Sequence, residues 1–295
     1  MKQVLVTGGA GQLGTELARH VWPEGWEAVV LTRADLDLAD ADAIAARVAE
    51  RPWGAVVNAA AYTAVDKAES DAVAAWRVNA LAPAALAAAC AAADVPLVHV
   101  STDYVFSGDK IGPWDEHDPV GPLGVYGASK LGGELAVRTS APRHAIVRTA
   151  WVVSAGGQNF VRTMLRVGAE RAQLSVVSDQ CGIPTGAADL AAALATIAVA
   201  MAEEPARASG TWHFSNAGMT TWHGFAEEIF RQSRARGGPV AEVVPIATAD
   251  YPTPARRPAN SALSHRAIER DFGIEPRPWQ DALGDIMDEL IGAAT

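Results

Sequence analysis

The chain has 295 residues, with 24 Lys and Arg against 34 Asp and Glu, a formal charge of -10 and only two cysteines. That length holds a nucleotide-binding unit plus a smaller companion, and it buries a sizeable core without disulfide or metal staples. The acidic balance argues against nucleic acid as a partner, and Cys90 and Cys181 suggest neither a disulfide framework nor a zinc site.

The chain opens on Met1-Lys2-Gln3 and runs straight into an apolar strand, so no secretory leader is expected and a cytoplasmic setting is. The strand Val4 to Val6 leads into Thr7-Gly8-Gly9-Ala10-Gly11-Gln12-Leu13-Gly14 and a helix predicted over Gln12 to His20. Glycines here allow a tight turn and a close approach of the backbone to pyrophosphate, while the helix N-terminus attracts the negative charge. A tight turn without ligand would use the same residues, but further strand-helix units follow, and these favour a dinucleotide cradle. Strands are predicted at Ala28 to Leu31, Ala55 to Asn58, Leu97 to Ser101 and Ala145 to Thr149, separated by Ala-rich stretches of helical length. Each is a near-continuous apolar run, as in a parallel sheet covered on both faces. The alternation continues through Leu174 to Val177 and a helix at Leu190 to Ala202, an apolar run too short to span a membrane. After about Trp212 the pattern becomes irregular, interrupted by Tyr251-Pro252-Thr253-Pro254 and Arg256-Arg257-Pro258. The expected fold is an α/β, Rossmann-type doubly wound parallel sheet with a smaller C-terminal substrate domain. Residues 1–212 form mainly the dinucleotide-binding part and 213–295 mainly the substrate part, with segments after about 150 free to cross between them.

Tyr126 and Lys130 stand four residues apart, on one face of a helix that begins near Tyr126. An ammonium beside a phenol stabilises phenolate, so Lys130 is expected to bring Tyr126 toward a pKa useful for proton transfer. Tyr-x-x-x-Lys is common on helix surfaces. What raises its weight is the preceding strand, which ends His99-Val100-Ser101-Thr102-Asp103 at the sheet edge where ligands bind, so that a hydroxyl there can bond the oxygen that Tyr126 protonates.

With these residues the chain resembles the extended short-chain dehydrogenase/reductase superfamily and, within it, the dTDP-4-dehydrorhamnose reductase family. The resemblance spans nearly the whole chain. It rests on Gly11 to Gly14, Asn58 to Glu69, Ser101 to Phe106, Val125 to Leu131, Arg148 to Val152, Asp179 to Thr185 and Tyr251 to Ala255. It implies a catalytic set of Thr102, Tyr126 and Lys130 that reduces the C4 keto group of a dTDP-linked 6-deoxy sugar, giving dTDP-L-rhamnose. Thr102 would orient the sugar oxygen, Tyr126 would donate the proton, and Lys130 would tune Tyr126 and hold the nicotinamide ribose. Asp103 and Trp151 match positions beside the deoxysugar. Gly11, Gln12, Leu13, Asp37, Leu38, Ala61, Tyr62 and Thr63 match positions that line the dinucleotide, to which the glycine pattern itself adds Gly8 and Gly14. Plain core packing remains open for Trp151, and a turn cap for Asp103. Related dehydratases carry an Asp-Glu pair after the threonine, whereas Asp103 is followed by Tyr104, which favours reduction over dehydration.

Either NADPH or NADH is the expected cofactor. The second strand is followed by Thr32 and Arg33, and a guanidinium there suits a 2′-phosphate, whereas Asp35 could restore a preference for NADH. Arg257 is a candidate for the substrate diphosphate, with an exposed basic turn as the alternative. The histidines show no metal-ligand spacing. Family members can share Mg2+ at a homodimer contact through three glutamates, of which Glu16 and Glu289 match two while Ala188 stands at the third position, next to Asp189. Two rival functions on the same scaffold are a non-catalytic regulatory subunit and an epimerase that retains its cofactor.

Overall fold

In the computed structural model, residues 1–292 are described. The elements of the first half are β1 (Lys2–Thr7), α1 (Gln12–Arg19), β2 (Trp26–Leu31), α2 (Ala41–Ala49), β3 (Ala55–Asn58), α3 (Val65–Ala68), α4 (Ala72–Trp76), α5 (Ala82–Ala92), β4 (Leu97–Thr102), α6 (Val125–Ser140) and β5 (His144–Thr149). The second half adds β6 (Val152–Val153), α7 (Phe160–Glu170), β7 (Gln173–Val177), β8 (Cys181–Gly182), β9 (Thr185–Gly186), α8 (Ala187–Glu203) and β10 (Gly210–His213). It continues with β11 (Thr220–Thr221), α9 (Trp222–Ala235), β12 (Glu242–Ile246), α10 (Arg266–Phe272) and α11 (Trp279–Ile291).

Six strands form one wholly parallel sheet in the order β10-β5-β4-β3-β1-β2. Its two faces follow from the period of two along each strand. Val4 and Val6 point to a cluster with Leu13 and Leu17 of α1 and Leu190, Leu194 and Ile197 of α8. Leu5 points the other way, with Ile44 and Val48 of α2, Leu86 of α5 and Val137 of α6. Strand order reverses between β1 and β3, so their carboxyl ends splay and leave a crevice there.

A further apolar cluster gathers Val153, Val161, Met164, Leu174 and Ile183 with Phe225, Ile229, Phe230, Trp279, Leu283 and Met287. It lies under α7, α9 and α11 and the parallel pair β7 and β12. Two particulars differ from the sequence reading. Gly210–His213 returns to the main sheet beside β5, and the stretch after Trp212, read as irregular, contains three helices. Ala72–Ala92 forms one 21-residue helix whose length and apolar composition would allow a membrane span. Half of that segment is buried inside the protein, where α5 packs on α2 and α6.

Candidate active site

The crevice is a cavity of about 940 Å³, a volume within the ordinary range for ligand sites. Gly8 turns the chain out of β1 at φ +83, and a Cβ there would lie 2.7 Å from the Ala60 amide nitrogen, so the loop and the end of β3 approach as only glycine permits. Gly11 caps α1 without any side-chain bond, which leaves the first amides of the helix, the orphans of every helix start, available to an anion. These features fit a dinucleotide pyrophosphate.

Gly8, Gly11, Gln12, Leu13, Arg33, Asp37, Leu38, Ala61, Tyr62, Thr63, Thr102, Asp103, Tyr126, Lys130 and Trp151 all line this one cavity. Gly14 and Arg257 do not. Gly14 packs beneath the loop against Gly8 and Gly9. Arg257 is turned onto Asp66, with Nη1 to Oδ1 at 2.9 Å and Nη2 to Oδ2 at 2.8 Å, and it also donates to Thr253 Oγ1 and the Ala255 carbonyl. Its donors tie the 253–257 turn to α3. In this arrangement the guanidinium is paired with a neighbouring carboxylate and does not line the cavity.

Thr102, at the end of β4, shares a 2.8 Å hydrogen bond with Asp103 Oδ1, and the Tyr104 amide donates to the same hydroxyl. Asp103 is 2% exposed, and its Oδ2 meets no hydrogen-bond partner within bonding distance among the described residues. Burial pushes its carboxyl up to about 7. Burial likewise pushes the Tyr126 phenol up to about 12, with the Thr102 hydroxyl acting in the opposite sense and the Asp103 charge adding to the rise. Lys130 is buried, donates to the Val100 carbonyl at 2.6 Å, and is brought down to about 8 by desolvation, against the pull of Glu134. Tyr126 is a neutral phenol near neutral pH, the form that donates a proton.

Several supporting residues were missed from sequence. Arg77–Leu81 is a widened helical turn between α4 and α5, and Asn79 within it is fully buried. Its amide clamps Tyr62, accepting from the Tyr62 amide at 2.8 Å and donating to the Tyr62 carbonyl at 3.1 Å, and it reaches Ser129 Oγ at 3.0 Å. Glu134 on α6 receives Ser101 Oγ at 2.6 Å and both Nε and Nη2 of Arg148 at 2.8 Å, which binds together the ends of β4 and β5 and the helix that carries Tyr126. Gln12 Oε1 accepts from Ser154 Oγ at 3.0 Å and Asn159 Nδ2 at 2.8 Å, linking the glycine loop to the turn before α7. These are long-range partners whose local sequence carries no signal.

A family model described as the RmlD substrate binding domain matches residues 1–291. A protein of Burkholderia thailandensis named dTDP-4-dehydrorhamnose reductase is 47% identical over 98% of this chain and 99% of its own. The chain belongs to the dTDP-4-dehydrorhamnose reductase family. Two solved structures of the family agree in fold. The Clostridium acetobutylicum dTDP-4-dehydrorhamnose reductase is 37% identical and covers 98% of this chain and 99% of that one, with a TM-score of 0.90. The Bacillus anthracis dTDP-4-dehydrorhamnose reductase in complex with NADP is 35% identical and covers 98% and 100%, also with a TM-score of 0.90.

The family's Mg2+ contact does not fit the residues present. Arg19 Nη1 lies 2.9 Å from Glu289 and 3.6 Å from Glu16, so a guanidinium already pairs with both carboxylates, and Ala188 offers no side-chain oxygen. The adjacent Asp189 is taken by Arg277 and Asn216. Among the described residues of one chain, no group of three carboxylate, His or Cys ligands comes together.

Proposed function

We propose that this chain reduces the C4 ketone of a dTDP-linked 6-deoxy-4-keto sugar, giving dTDP-L-rhamnose, with NADPH used at least as well as NADH. The observation that carries the reading is the convergence of the glycine loop with Thr102, Tyr126 and Lys130 on a single cavity. Bound reduced nicotinamide supplies the hydride. The protein's task is to place the carbonyl carbon within reach of it and to neutralise the oxyanion that develops.

Tyr126 Oη would donate its proton to that oxygen. As a phenol near neutral pH, it acts as acid without prior protonation. Thr102 would orient the same oxygen, and Asp103 decides whether its hydroxyl is free to do so. As a carboxylate, Asp103 draws the Thr102 proton to itself. As a carboxylic acid, accessible at a pKa of about 7, it can instead donate to Thr102 Oγ1 and release the Thr102 O–H toward substrate. Lys130, held by the Val100 carbonyl, would bind the ribose hydroxyls, and Trp151 would face the sugar.

For the cofactor, Arg33 is exposed and lines the cavity, where it would pair with a 2′-phosphate. Asp35, the rival determinant, accepts from the Thr32 amide at 2.8 Å and Thr32 Oγ1 at 2.7 Å, bonds that hold its carboxyl below the usual range and engage its Oδ2. The NADP complex of the Bacillus anthracis relative supports the same choice. For domain organisation we propose the division at about residue 212, with the 152–183 segment crossing to the substrate side, since it shares an apolar cluster with α9 and α11.

The test is consumption of NADPH, followed by absorbance, with the dTDP-linked 4-keto-6-deoxy sugar. Stoichiometric oxidation supports the reductase. Epimerisation without net oxidation, or no turnover by folded protein that binds NADPH, would replace it with the epimerase or the regulatory subunit.

A further inference from the structure

Trp151 sits at φ +46, in the left-handed region that bulky residues avoid. What holds the ring is a slot. On one side lies Gly182 of β8, where a Cβ would stand 2.5 Å from Trp151 Cζ2. On the other lies Trp222, whose ring is stacked on Trp151 at 3.6 Å between centroids and 11° between planes. The two walls are built as one unit. β11 pairs with β8 in the register Thr220 to Gly182 and Thr221 to Cys181, and Trp222 follows directly as the first residue of α9. Thr221 Oγ1 caps that helix by accepting from the Gly224 amide at 3.0 Å, which fixes where Trp222 leaves the backbone. Trp151 Nε1 donates to Ser261 Oγ at 3.1 Å, which sets the rotation of the ring within the slot. Both indoles line the cavity that holds Thr102 and Tyr126.

We propose that Trp222 is a positioning residue for the sugar, acting by clamping the Trp151 ring against Gly182 so that the open edge of the ring is preset for the apolar side of the deoxysugar. This rests on the reductase reading above and adds a residue to it. A platform preset in the free protein spares the ligand the cost of ordering it, so its loss falls on the sugar nucleotide and not on the dinucleotide.

The experiment compares wild type with Trp222→Phe, Trp222→Leu and Trp222→Ala, reading KM and kcat for the 4-keto sugar nucleotide, Kd for NADPH, and the exciton couplet that two stacked indoles give in far-ultraviolet circular dichroism. In Trp222→Ala the couplet should vanish and the sugar KM should rise about tenfold, the upper end of what an aromatic pair supplies, while the NADPH Kd stays within about twofold. Trp222→Phe, which keeps a stacking face, should recover most of the KM. Loss of the couplet with unchanged KM and kcat would overturn the proposal, as would a parallel rise in NADPH Kd. If Trp222→Ala does not fold, the comparison of Phe with Leu decides, because both fill space and only one stacks; equal KM values overturn the proposal. A wild type that binds NADPH but leaves the keto sugar unreduced brings down the reductase reading instead.

Discussion

Asp103→Asn isolates one buried charge. The wild-type carboxyl is pushed up to about 7 by burial, above the ordinary value of about 4, so the folded protein holds a proton that the unfolded chain releases. The sign follows from linkage. The stability that proton confers is fully present in acid below about pH 4 and is lost as the pH rises through about 7. A gap of about three units corresponds to about 4 kcal/mol, of which about 2 kcal/mol is lost between about pH 5.5 and about pH 8. Asparagine keeps the shape and a carbonyl oxygen for the Thr102 hydroxyl but has no proton to lose. Urea unfolding of the cofactor-free chain at the two pH values should therefore show the variant gaining about 2 kcal/mol on the wild type between them. A gap that stays constant across that range would refute the claim that Asp103 ionises at a cost inside the fold.

Tyr126→Phe should lower kcat by about 10² to 10⁴, the usual contribution of a general acid, with NADPH Kd nearly unchanged; a variant near wild-type rate would remove Tyr126 from the proton transfer. In Arg33→Ala the ratio of kcat/KM for NADPH over NADH should fall, since the 2′-phosphate loses a charged partner while NADH loses none. An unmoved ratio would place specificity elsewhere. Gly182→Ala adds a methyl where Trp151 packs, so the sugar KM should rise while NADPH Kd holds, as measured by initial rates and by fluorescence titration.

The parallel sheet and its cofactor edge could be read from sequence because their signals are local. Val4 to Val6 followed by the glycine loop, and the continuous apolar runs of β3, β4 and β5, announce buried parallel strands by composition alone. The short strand β10 carries no such run, since Gly210-Thr211-Trp212-His213 joins the sheet through its pairing with β5 and not through its own propensity. Helix α9 was within reach. Phe225, Ala226, Ile229 and Phe230 recur at helical spacing, but the prolines of the 251–258 turn drew attention to breakage. In the site, the spacing of Tyr126 and Lys130 was legible along the chain, whereas the burial that shifts their ionisation is a tertiary quantity. The pairing of Arg257 was not legible for a related reason: its partner Asp66 lies 191 residues earlier, and a free cation cannot be told from a paired one along the chain.

The Trp151 to Phe230 stretch shuttles between the two packed assemblies. It leaves the main sheet at Thr149, enters the cluster under α9 with Val153, returns to the sheet with α8 and β10, and leaves again for α9. Neither assembly is a continuous length of chain, so a fragment cut at residue 212 would carry Val153, Val161 and Met164 without Phe225, Ile229 and Phe230 to cover them. The chain is in effect laced, and loosening either half slackens the stitches of the other. Unfolding should then be a single cooperative event, and the site strung across the lacing keeps its geometry for as long as the molecule is folded at all.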